Sequence, residues 1–476
     1  MADGAAVRYG TAQGRWVIIA AVLGSGVVFL DGTVVNVALP ALSRDLKASV
    51  RGLQWILDGY LVTLSALLLL GGSAGDRYGR RSMFVAGLGG FVVASVLCGL
   101  APGVGFLIVA RALQGVAGAL LVPASLSIIS SAFDGDDRGR AIGAWSGLAA
   151  VAGALGPLLG GWLVDAGSWR LIFFLNVPVA AAAAAIALRH VPETSDDEAG
   201  PLDVTGAALV SAGVALVAYG LIEHSVVAGI AGSAALAAFL LVERRGDHPM
   251  LPLSLFTSGQ FTGANLSTVA VYGAMSAAMF LITLRLQVTM DYSALEAGAS
   301  FLPFTGLMLL LSARVGALAQ RIGPRLPMTL GPLLSAGGLL LFSRIGPGDG
   351  FLTAVLPAVT LFGLGMTVTV APLTAAVLGA VDRRRAGVAS AVNNVAARLA
   401  GLLGIAVIPV VAGFDNGAGL GRSLDTAYPT ALRISAALCA VGAAVAWRFV
   451  RSAASVRSII HPDPQHACHD ACVHAA

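Results

Sequence analysis

The sequence is poor in charged residues. Asp, Glu, Lys and Arg make up 11% of its 476 residues, whereas hydrophobic residues make up 57%. A soluble globular protein carries about 25% charged residues, so a water-soluble fold of this composition would lack a hydrophilic surface. The composition therefore predicts an all-α polytopic membrane protein whose outer surface is covered mostly by lipid.

Motifs of the common energy-using and catalytic sites are absent. No G-x-x-x-x-G-K-S/T loop occurs, which argues against ATP bound in a P-loop as an energy source. No H-E-x-x-H motif occurs, and no polar segment is long enough to form a separate catalytic domain. The sequence therefore does not predict an enzyme.

Cysteine is also scarce, and its positions predict neither disulfide bonds nor a cofactor. Cys98 and Cys439 lie in apolar runs, where a thiol suits helix packing. Cys468 and Cys472 lie in a His-rich tail, but their spacing matches no familiar zinc module. Basic residues are not interleaved with aromatic residues on one face, so nucleic acid is not an expected partner. We expect no metal, no cofactor and a disordered tail.

Long apolar runs, by contrast, occur throughout the chain. Fourteen of them reach the roughly 20 residues that a helix needs to cross a bilayer. Their approximate bounds are 16–38, 53–73, 83–101, 104–130, 141–163, 171–188, 203–222, 225–242, 261–283, 297–319, 326–344, 351–376, 387–412 and 428–450.

Polar stretches divide these runs into two groups of six with a pair between them. Similar Gly- and Arg-containing turns, "GGSAGDRYGRRSMF" and "GALAQRIGPRLPMTLG", follow the second and tenth spans, which indicates duplicated bundles. The predicted organisation is an N-terminus (1–15), an N-terminal six-helix bundle (16–188), a linker with two extra spans (189–260), a C-terminal six-helix bundle (261–450) and a tail (451–476).

Arginine is distributed unevenly between the two sides. An even number of spans places both chain ends on one side, and loops on that side, such as 76–81, 138–140 and 383–385, carry more arginines than the loops opposite. Cytoplasmic loops are enriched in Arg and Lys. Both termini are therefore predicted to be cytoplasmic, in a multi-pass protein of the cell membrane.

Three ionisable residues interrupt the predicted spans of the first half. Asp31 lies in the middle of the first span, Asp58 in the outer part of the second, and Arg111 in the fourth. Charges at bilayer depth cost several kcal/mol when unpaired and are commonly functional. Because burial favours the neutral form of an acid, Asp31 and Asp58 are candidate proton carriers. The alternatives are a structural hydrogen bond for Asp31, a wet outer mouth for Asp58 and bonds to backbone carbonyls for Arg111.

The turn after the second span resembles the signature loop of the major facilitator superfamily, G-x-x-x-D-R-x-G-R-R. The matching residues are Gly72, Asp76, Arg77, Gly79, Arg80 and Arg81. We expect Asp76 to pair with Arg80 or Arg81 as a latch that holds in one conformation only. The alternative is a plain basic turn.

Further segments resemble motifs of the same superfamily. "RALQGVAGALLVP" (111–123) is similar to its fourth-span motif, and "GALGPLLGGWL" (153–163) to the fifth-span motif of its exporters. "LDGTVVNVALP" (30–40) and "SWRLIFFLNVPV" (168–179) resemble the fourteen-span drug:proton antiporter branch. The motif residues are Arg111, Gln114 and Gly115 in the fourth span, and Gly156, Pro157, Gly160 and Gly161 in the fifth.

Two features depart from the pattern of the superfamily. Leu148 and Ala152 stand where further glycines are expected upstream in the fifth span, so packing there is expected to be looser. Gln320 precedes Arg321 where the C-terminal copy of the signature loop would carry an aspartate.

The resemblance implies the major facilitator fold, with two six-helix bundles plus two inserted helices. It also implies a proton-coupled antiporter that exports amphipathic, often cationic, small molecules by alternating access. Asp31, Asp58 and Arg111 would couple transport to protons, and the expected partners are a small-molecule substrate, protons and the lipid bilayer, with a monomeric transport unit. The predicted cavity residues are Phe29, Asn36, Trp55, Tyr60, Gln114, Asn393 and Asn394.

Several alternatives stay open at this point. Trp55 is equally suited to anchoring at the membrane interface. Asn393 and Asn394 are equally suited to joining helices. The cargo is either many drugs or a single metabolite. A non-transporting receptor on a transporter fold and a proton-coupled importer are the remaining possibilities.

Overall fold

The computed structural model describes residues 8–196, 203–246, 251–381, 386–414 and 420–451. These residues form helices and no strand. Fourteen helical segments among them are long and apolar enough to cross a membrane, as the hydropathy pattern predicts. The predicted tail beyond Arg451 and the arginines of 383–385 lie outside the described residues.

The first half contains six spans built from seven helices, because the last span is interrupted at Leu175. The helices are α1 (Ala12–Leu46), α2 (Val50–Tyr78), α3 (Arg80–Gly99), α4 (Val104–Ala132), α5 (Gly135–Ala166), α6 (Leu171–Phe174) and α7 (Asn176–His190). The inserted pair is α8 (Val204–Ile222) and α9 (Val226–Arg245).

The second half also contains six spans, and two of these are irregular. A break between α11 and α12 interrupts one span, and a π turn at Phe351–Val355 opens another. The helices are α10 (Gly259–Val288), α11 (Ala294–Ala299), α12 (Leu302–Ile322), α13 (Arg325–Phe342), α14 (Leu356–Leu378), α15 (Ala386–Val411) and α16 (Leu420–Phe449).

Capping residues place the helix ends beyond the apolar runs. Hydropathy predicts the first span at 16–38, but α1 begins after Thr11, whose hydroxyl accepts a hydrogen bond from Gly14 N–H. It ends at Lys47, which has a left-handed φ of 52°. Ser49 caps α2 in the same way as Thr11 caps α1. Apolar runs therefore locate the buried middle of each helix, whereas capping residues fix its length.

The inserted hairpin of α8 and α9 lies at the junction of the two halves. Helix α8 packs on α2 of the first half and on α15 of the second. Val62, Val214, Ala218 and Leu402 form a small apolar cluster where these three helices meet. We call these four residues the junction cluster.

Apolar packing differs between the two ends of the molecule. We call the end where α1 begins and α16 ends the terminal end, and the other the opposite end. At the opposite end one continuous cluster joins both halves, from Val34 and Leu57 in the first to Phe280 and Leu432 in the second. At the terminal end each half has a cluster of its own among the described residues. Within the described part of the chain, the apolar clusters therefore close the halves on each other at the opposite end and not at the terminal end.

Polar contacts reinforce this closure at the opposite end. Gln54 donates to the carbonyl of Ile405 at 2.8 Å, and Gln287 donates to the carbonyl of Val37 at 2.9 Å. The carboxylate of Asp165 accepts from the backbone N–H groups at the start of α11, the closer one at 2.8 Å. Each of these contacts crosses from one half to the other.

Candidate functional site

Asp31 is the centre of a buried polar cluster inside the first half. It lies in the middle of α1 and is 0% exposed. One carboxylate oxygen pairs with Arg111 of α4. The other accepts from Gln114 Nε2 at 2.9 Å and from Asn176 Nδ2 at 2.8 Å. Every recorded partner of Asp31 donates a hydrogen bond, so the arrangement suits a charged carboxylate.

Arg111 is 1% exposed and has partners in addition to Asp31. Its Nε donates to the carbonyl of Ile56 at 3.2 Å, and Nη1 donates to Gln114 Oε1 at 2.7 Å. Its guanidinium carbon lies 4.3 Å from the ring centroid of Tyr60. The two interpretations of Arg111 are thus compatible, because it pairs with the acid and also bonds the backbone of a neighbouring helix.

The motif in α4 explains how these groups come together. Arg111 and Gln114 are three residues apart and therefore share a face of the helix. A side chain at Gly115 would collide with Thr63 and with the carbonyl of Tyr60, so this glycine lets α4 approach α2 closely. Tyr60 donates from its hydroxyl to the carbonyl of Val28 at 3.1 Å, which ties α2 to α1. The three helices meet around Asp31.

Asp58 is equally buried but has a different environment. Its side chain is 0% exposed, and neither carboxylate oxygen has a hydrogen-bond partner. It lies one helical turn from Gln54 and one turn from Val62, and both of these residues face α15. The burial of Asp58 argues against the alternative of a wet outer mouth, since α2 packs at the junction of the halves. An unpartnered buried acid is most stable in its neutral form.

The predicted cavity residues do not form one group. Tyr60 and Gln114 belong to the buried cluster around Asp31. Phe29 is partly buried and faces the second half, where the Arg398 guanidinium lies 5.7 Å from its ring centroid. The Trp55 indole instead donates to Glu223, the residue that follows α8, at 2.9 Å. A cavity role for these residues stays a prediction.

The predicted asparagines make contacts within and between helices. Asn36 makes long bonds of 3.3 and 3.5 Å to carbonyls of its own helix. Asn393 joins α15 to α10 through Thr268 at 2.8 Å and Asn265 at 3.1 Å. Asn394 is exposed and bonds only the carbonyl of Ser390, at 3.2 Å. Asn394 is thus the exposed one of these three.

The turn between α2 and α3 holds the expected ion pair. Asp76 accepts from Arg80 at 2.8 and 2.9 Å rather than from Arg81. Gly79 has a φ of 101°, a backbone conformation that favours glycine. Gly72 is in ordinary contact with Pro123, and the Arg77 guanidinium lies 5.8 Å from the ring centroid of Tyr78. Whether this pair acts as a latch stays a prediction.

The segment that follows α7 packs across this turn and is hydrogen-bonded to it. The carboxylate of Glu193 accepts from the backbone N–H of Arg81 and of Ser82, both at 3.0 Å. Asp196 N–H donates to the carbonyl of Asp76 at 2.8 Å, and Arg80 N–H donates to the carbonyl of Thr194 at 2.9 Å. Since Gly79 supplies no side-chain cap, Glu193 takes the place of an N-cap residue for α3.

The glycines of α5 allow contacts with both halves. A side chain at Gly156 or Gly160 would collide with α1, at Thr33 and Val34 respectively. A side chain at Gly161 would collide with the start of α11, and the carbonyl of Pro157 touches Gly298 of that same helix. Upstream, Ala152 is in contact distance of Gly26, whereas Leu148 is 51% exposed. The glycine face of α5 therefore belongs to the closed opposite end.

Sequence reasoning missed several residues of this site. Asn176 donates to Asp31, and the hydroxyl oxygen of Ser95 accepts from Gln114 Nε2. An amide inside the apolar "LIFFLNVPV" run was the available signal for Asn176. In the second half Arg285, which lies just beyond the predicted ninth span (261–283), is buried and pairs with Asp425. Residues that pair across such long distances in the sequence leave no local sequence pattern that would reveal the pair.

Comparison with known proteins places this architecture in a family. The model of the Major Facilitator Superfamily matches residues 21–405. The chain belongs to this superfamily. Its fourteen candidate spans fit the fourteen-span branch. It is therefore a membrane transporter. Its fold is similar to that of a POT family transporter, with a TM-score of 0.69 at 12% identity over 92% of this chain and 95% of the other.

Similar curated proteins are named for drug resistance. The chain is 32% identical to the multidrug resistance protein Stp of Mycobacterium tuberculosis, over 87% of this chain and 78% of that protein. It is 34% identical to the puromycin resistance protein pur8 of Streptomyces alboniger, over 92% of each chain. It is 34% identical to the tetracenomycin C resistance and export protein of Streptomyces glaucescens, over 83% of this chain and 75% of that protein.

Proposed function

We propose that this transporter is a proton-coupled antiporter that exports amphipathic small molecules across the cell membrane. The observation that carries the proposal is the Asp31 cluster, a fully buried carboxylate whose partners all donate to it. Groups of this kind inside a membrane protein mark proton pathways. The drug-resistance names of similar proteins support the direction of transport.

The proposed coupling step is a competition for Asp31. In this conformation Arg111 neutralises the carboxylate. A proton arriving at Asp31 would remove its charge and weaken the pair, which leaves Arg111 with the Ile56 carbonyl and Gln114. Breaking a buried ion pair costs about 3–5 kcal/mol when one charge is left uncompensated. A cost of this size is large enough to couple the protonation of Asp31 to a movement of α1 relative to α4.

Alternating access accounts for the difference between the two ends. The arginine distribution favours a cytoplasmic terminal end, so closure at the opposite end corresponds to an inward-facing state. The contacts of Gly161 and Pro157 with α11 would separate when the transporter turns outward. The Asp76–Arg80 pair would hold in one of the two states. Each half would move as a body about the central site.

Asp58 is the proposed second proton site. It has no partner in the described conformation, and the contact between α2 and α15 that covers it would have to open as the halves separate. A neutral acid would then meet water and could ionise. This gives two acids that change environment at different points of the cycle.

The membrane potential sets the energy available. A proton moving inward across 100 mV gains roughly 2.3 kcal/mol, which supports a gradient of more than tenfold for a neutral cargo. The sequence also predicts cargo that is often cationic. This stays a prediction, since Arg111 already occupies Asp31 and packing covers Asp58.

Everted membrane vesicles that contain the full chain test this proposal. An acidic interior imposed on these vesicles should drive uptake of rhodamine 6G or sulforhodamine B against its gradient. Uptake should stop when nigericin collapses the pH difference. Dye accumulation that persists without a pH difference, or no uptake of any tested amphipath, would contradict proton-driven export.

A dedicated exporter of one metabolite is the second candidate. Relatives named for resistance to a single antibiotic, such as puromycin, favour it. A susceptibility panel in a pump-deficient bacterial strain separates the two. Protection against one compound alone supports the dedicated exporter, and protection against several unrelated amphipaths supports multidrug export.

We further propose a monomeric transport unit.

A further inference from the structure

We infer that Arg398 binds an acidic group of the transported molecule, so that the preferred cargo is an amphipathic anion. This inference rests on the proposed export function. It concerns α15, the helix of the second half that meets α2 and the inserted α8. It also departs from the sequence-based expectation of cationic cargo.

Arg398 is a cation without an acidic partner. Among the described residues no carboxylate lies within ion-pair distance of it, and its Nε is buried without a hydrogen-bond acceptor. Its guanidinium carbon lies 5.7 Å from the ring centroid of Phe29, so it reaches across to the first half. A buried N–H donor without an acceptor is costly, and an anion bound to the guanidinium would satisfy it.

On the face of α15 that carries Arg398, side-chain exposure decreases from the terminal end towards the opposite end. Asn394, one turn nearer the terminal end, is exposed, Arg398 is partly buried, and Leu402, one turn further, is 1% exposed. Leu402 belongs to the junction cluster. Arg398 is therefore the one charged residue of α15, and it lies between the exposed part of this face and the apolar packing of the junction cluster.

The buried acids of the first half and the helical acids of the second half are occupied or covered among the described residues. Asp31 pairs with Arg111, and Asp58 is buried one turn beyond Val62, on the far side of the junction cluster. Helices α10–α16 contain only two acids, Glu296 and Asp425. Glu296 caps α11 and Asp425 pairs with Arg285.

The chemistry of the site selects the ligand class. A guanidinium presents planar, paired N–H donors that match a carboxylate, a sulfonate or a phenolate. The aromatic ring of Phe29 beside it offers an apolar surface to the rest of the molecule. Export of an anion in exchange for a proton moves two positive charges inward, so an interior-negative potential would accelerate it.

Equilibrium binding to the purified full-length protein tests the inference without requiring transport. Sulforhodamine B, a net anion, and rhodamine 6G, a cation, share the xanthene ring system and keep their charge near neutral pH. Fluorescence anisotropy should show sulforhodamine B binding at least tenfold more weakly to Arg398→Gln than to the wild type. Arg398→Lys should recover most of this affinity, and rhodamine 6G should bind both variants no more weakly than the wild type.

Arg433→Gln is the matched control. Arg433 is an exposed arginine of α16, a helix that packs on α10 and α13 of its own half, and its removal deletes the same charge away from the junction. Its sulforhodamine B affinity should equal that of the wild type. Equal sulforhodamine B binding by wild type and Arg398→Gln, or an equal loss in Arg433→Gln, would overturn the inference.

The same dyes separate this inference from the export proposal. Arg398-dependent binding of the anion without pH-driven uptake of either dye in vesicles supports the anion site and contradicts proton-coupled export. Uptake of rhodamine 6G alone, with no Arg398-dependent binding of sulforhodamine B, supports export and contradicts the anion site.

Discussion

Asp31 and Asp58 are both completely buried acids of the first half, yet their surroundings are opposite. Asp31 accepts from a guanidinium and two amides within its own bundle. Asp58 has no donor and faces α15 across the junction of the halves. The first environment suits a charged carboxylate and the second a neutral acid. Burial alone therefore does not define a proton site, because the hydrogen-bond donors around an acid determine whether its charged or its neutral form is stabilised.

The largest expected effect is on transport driven by the pH gradient. Asp31→Asn keeps the shape of the side chain but removes the charge that pairs with Arg111, so uphill uptake in everted vesicles should fall at least 100-fold. Asp58→Asn loses only the second proposed site and should retain a measurable part of uphill uptake. Equal uphill uptake by the wild type and both variants would show that neither acid couples to protons.

The second-largest expected effect is a difference in thermal stability between variants of Asp31 and variants of Asp58. Asp31→Ala leaves Arg111 buried without its partner, which costs about 3–5 kcal/mol, so the melting temperature in detergent should fall clearly. Asp58→Ala removes an acid that already lacks a partner, and the melting temperature should change little or rise. Adding Arg111→Gln to Asp31→Ala should restore part of the stability. A greater loss for Asp58→Ala would mean that Asp58 has a partner.

Glu193 extends the comparison to an acid outside the spans, where the smallest effect is expected. Its carboxylate bonds the start of α3, but it is 35% exposed, so water replaces part of what is lost. Glu193→Gln should cost about 1 kcal/mol at this cap and slow transport a few-fold without altering its dependence on the pH gradient. Glu223→Gln, on the opposite end beside Arg51, is the control and should leave the rate unchanged. A changed pH dependence in Glu193→Gln would give it a coupling role.

The sequence predicts the spans well and the partners of their polar residues poorly. Apolar runs of bilayer length follow from local composition, so all fourteen spans were predictable. The i, i+4 spacing of Asp76 and Arg80 made their pair predictable too. Asp31 and Arg111 were each recognised as unusual charges, and the resemblance to the superfamily linked both to proton coupling.

Contacts between distant parts of the chain were not predictable. Asn176 reaches Asp31 across 145 positions, and Glu193 reaches Arg81 across 112. No periodicity links such pairs, because tertiary packing alone brings them together. The sequence left open whether Asp58 is buried or wet for the same reason, since the position of α15 relative to α2 determines this.

Cargo-induced proton release from the purified protein tests the central claim most directly. In weakly buffered detergent solution, the wild type should release protons when it binds the xanthene dye that it transports. Asp31→Asn should release about one proton fewer per protein, while Glu193→Gln should release as many as the wild type. Undiminished release from Asp31→Asn would contradict the assignment of Asp31 as the coupling proton site.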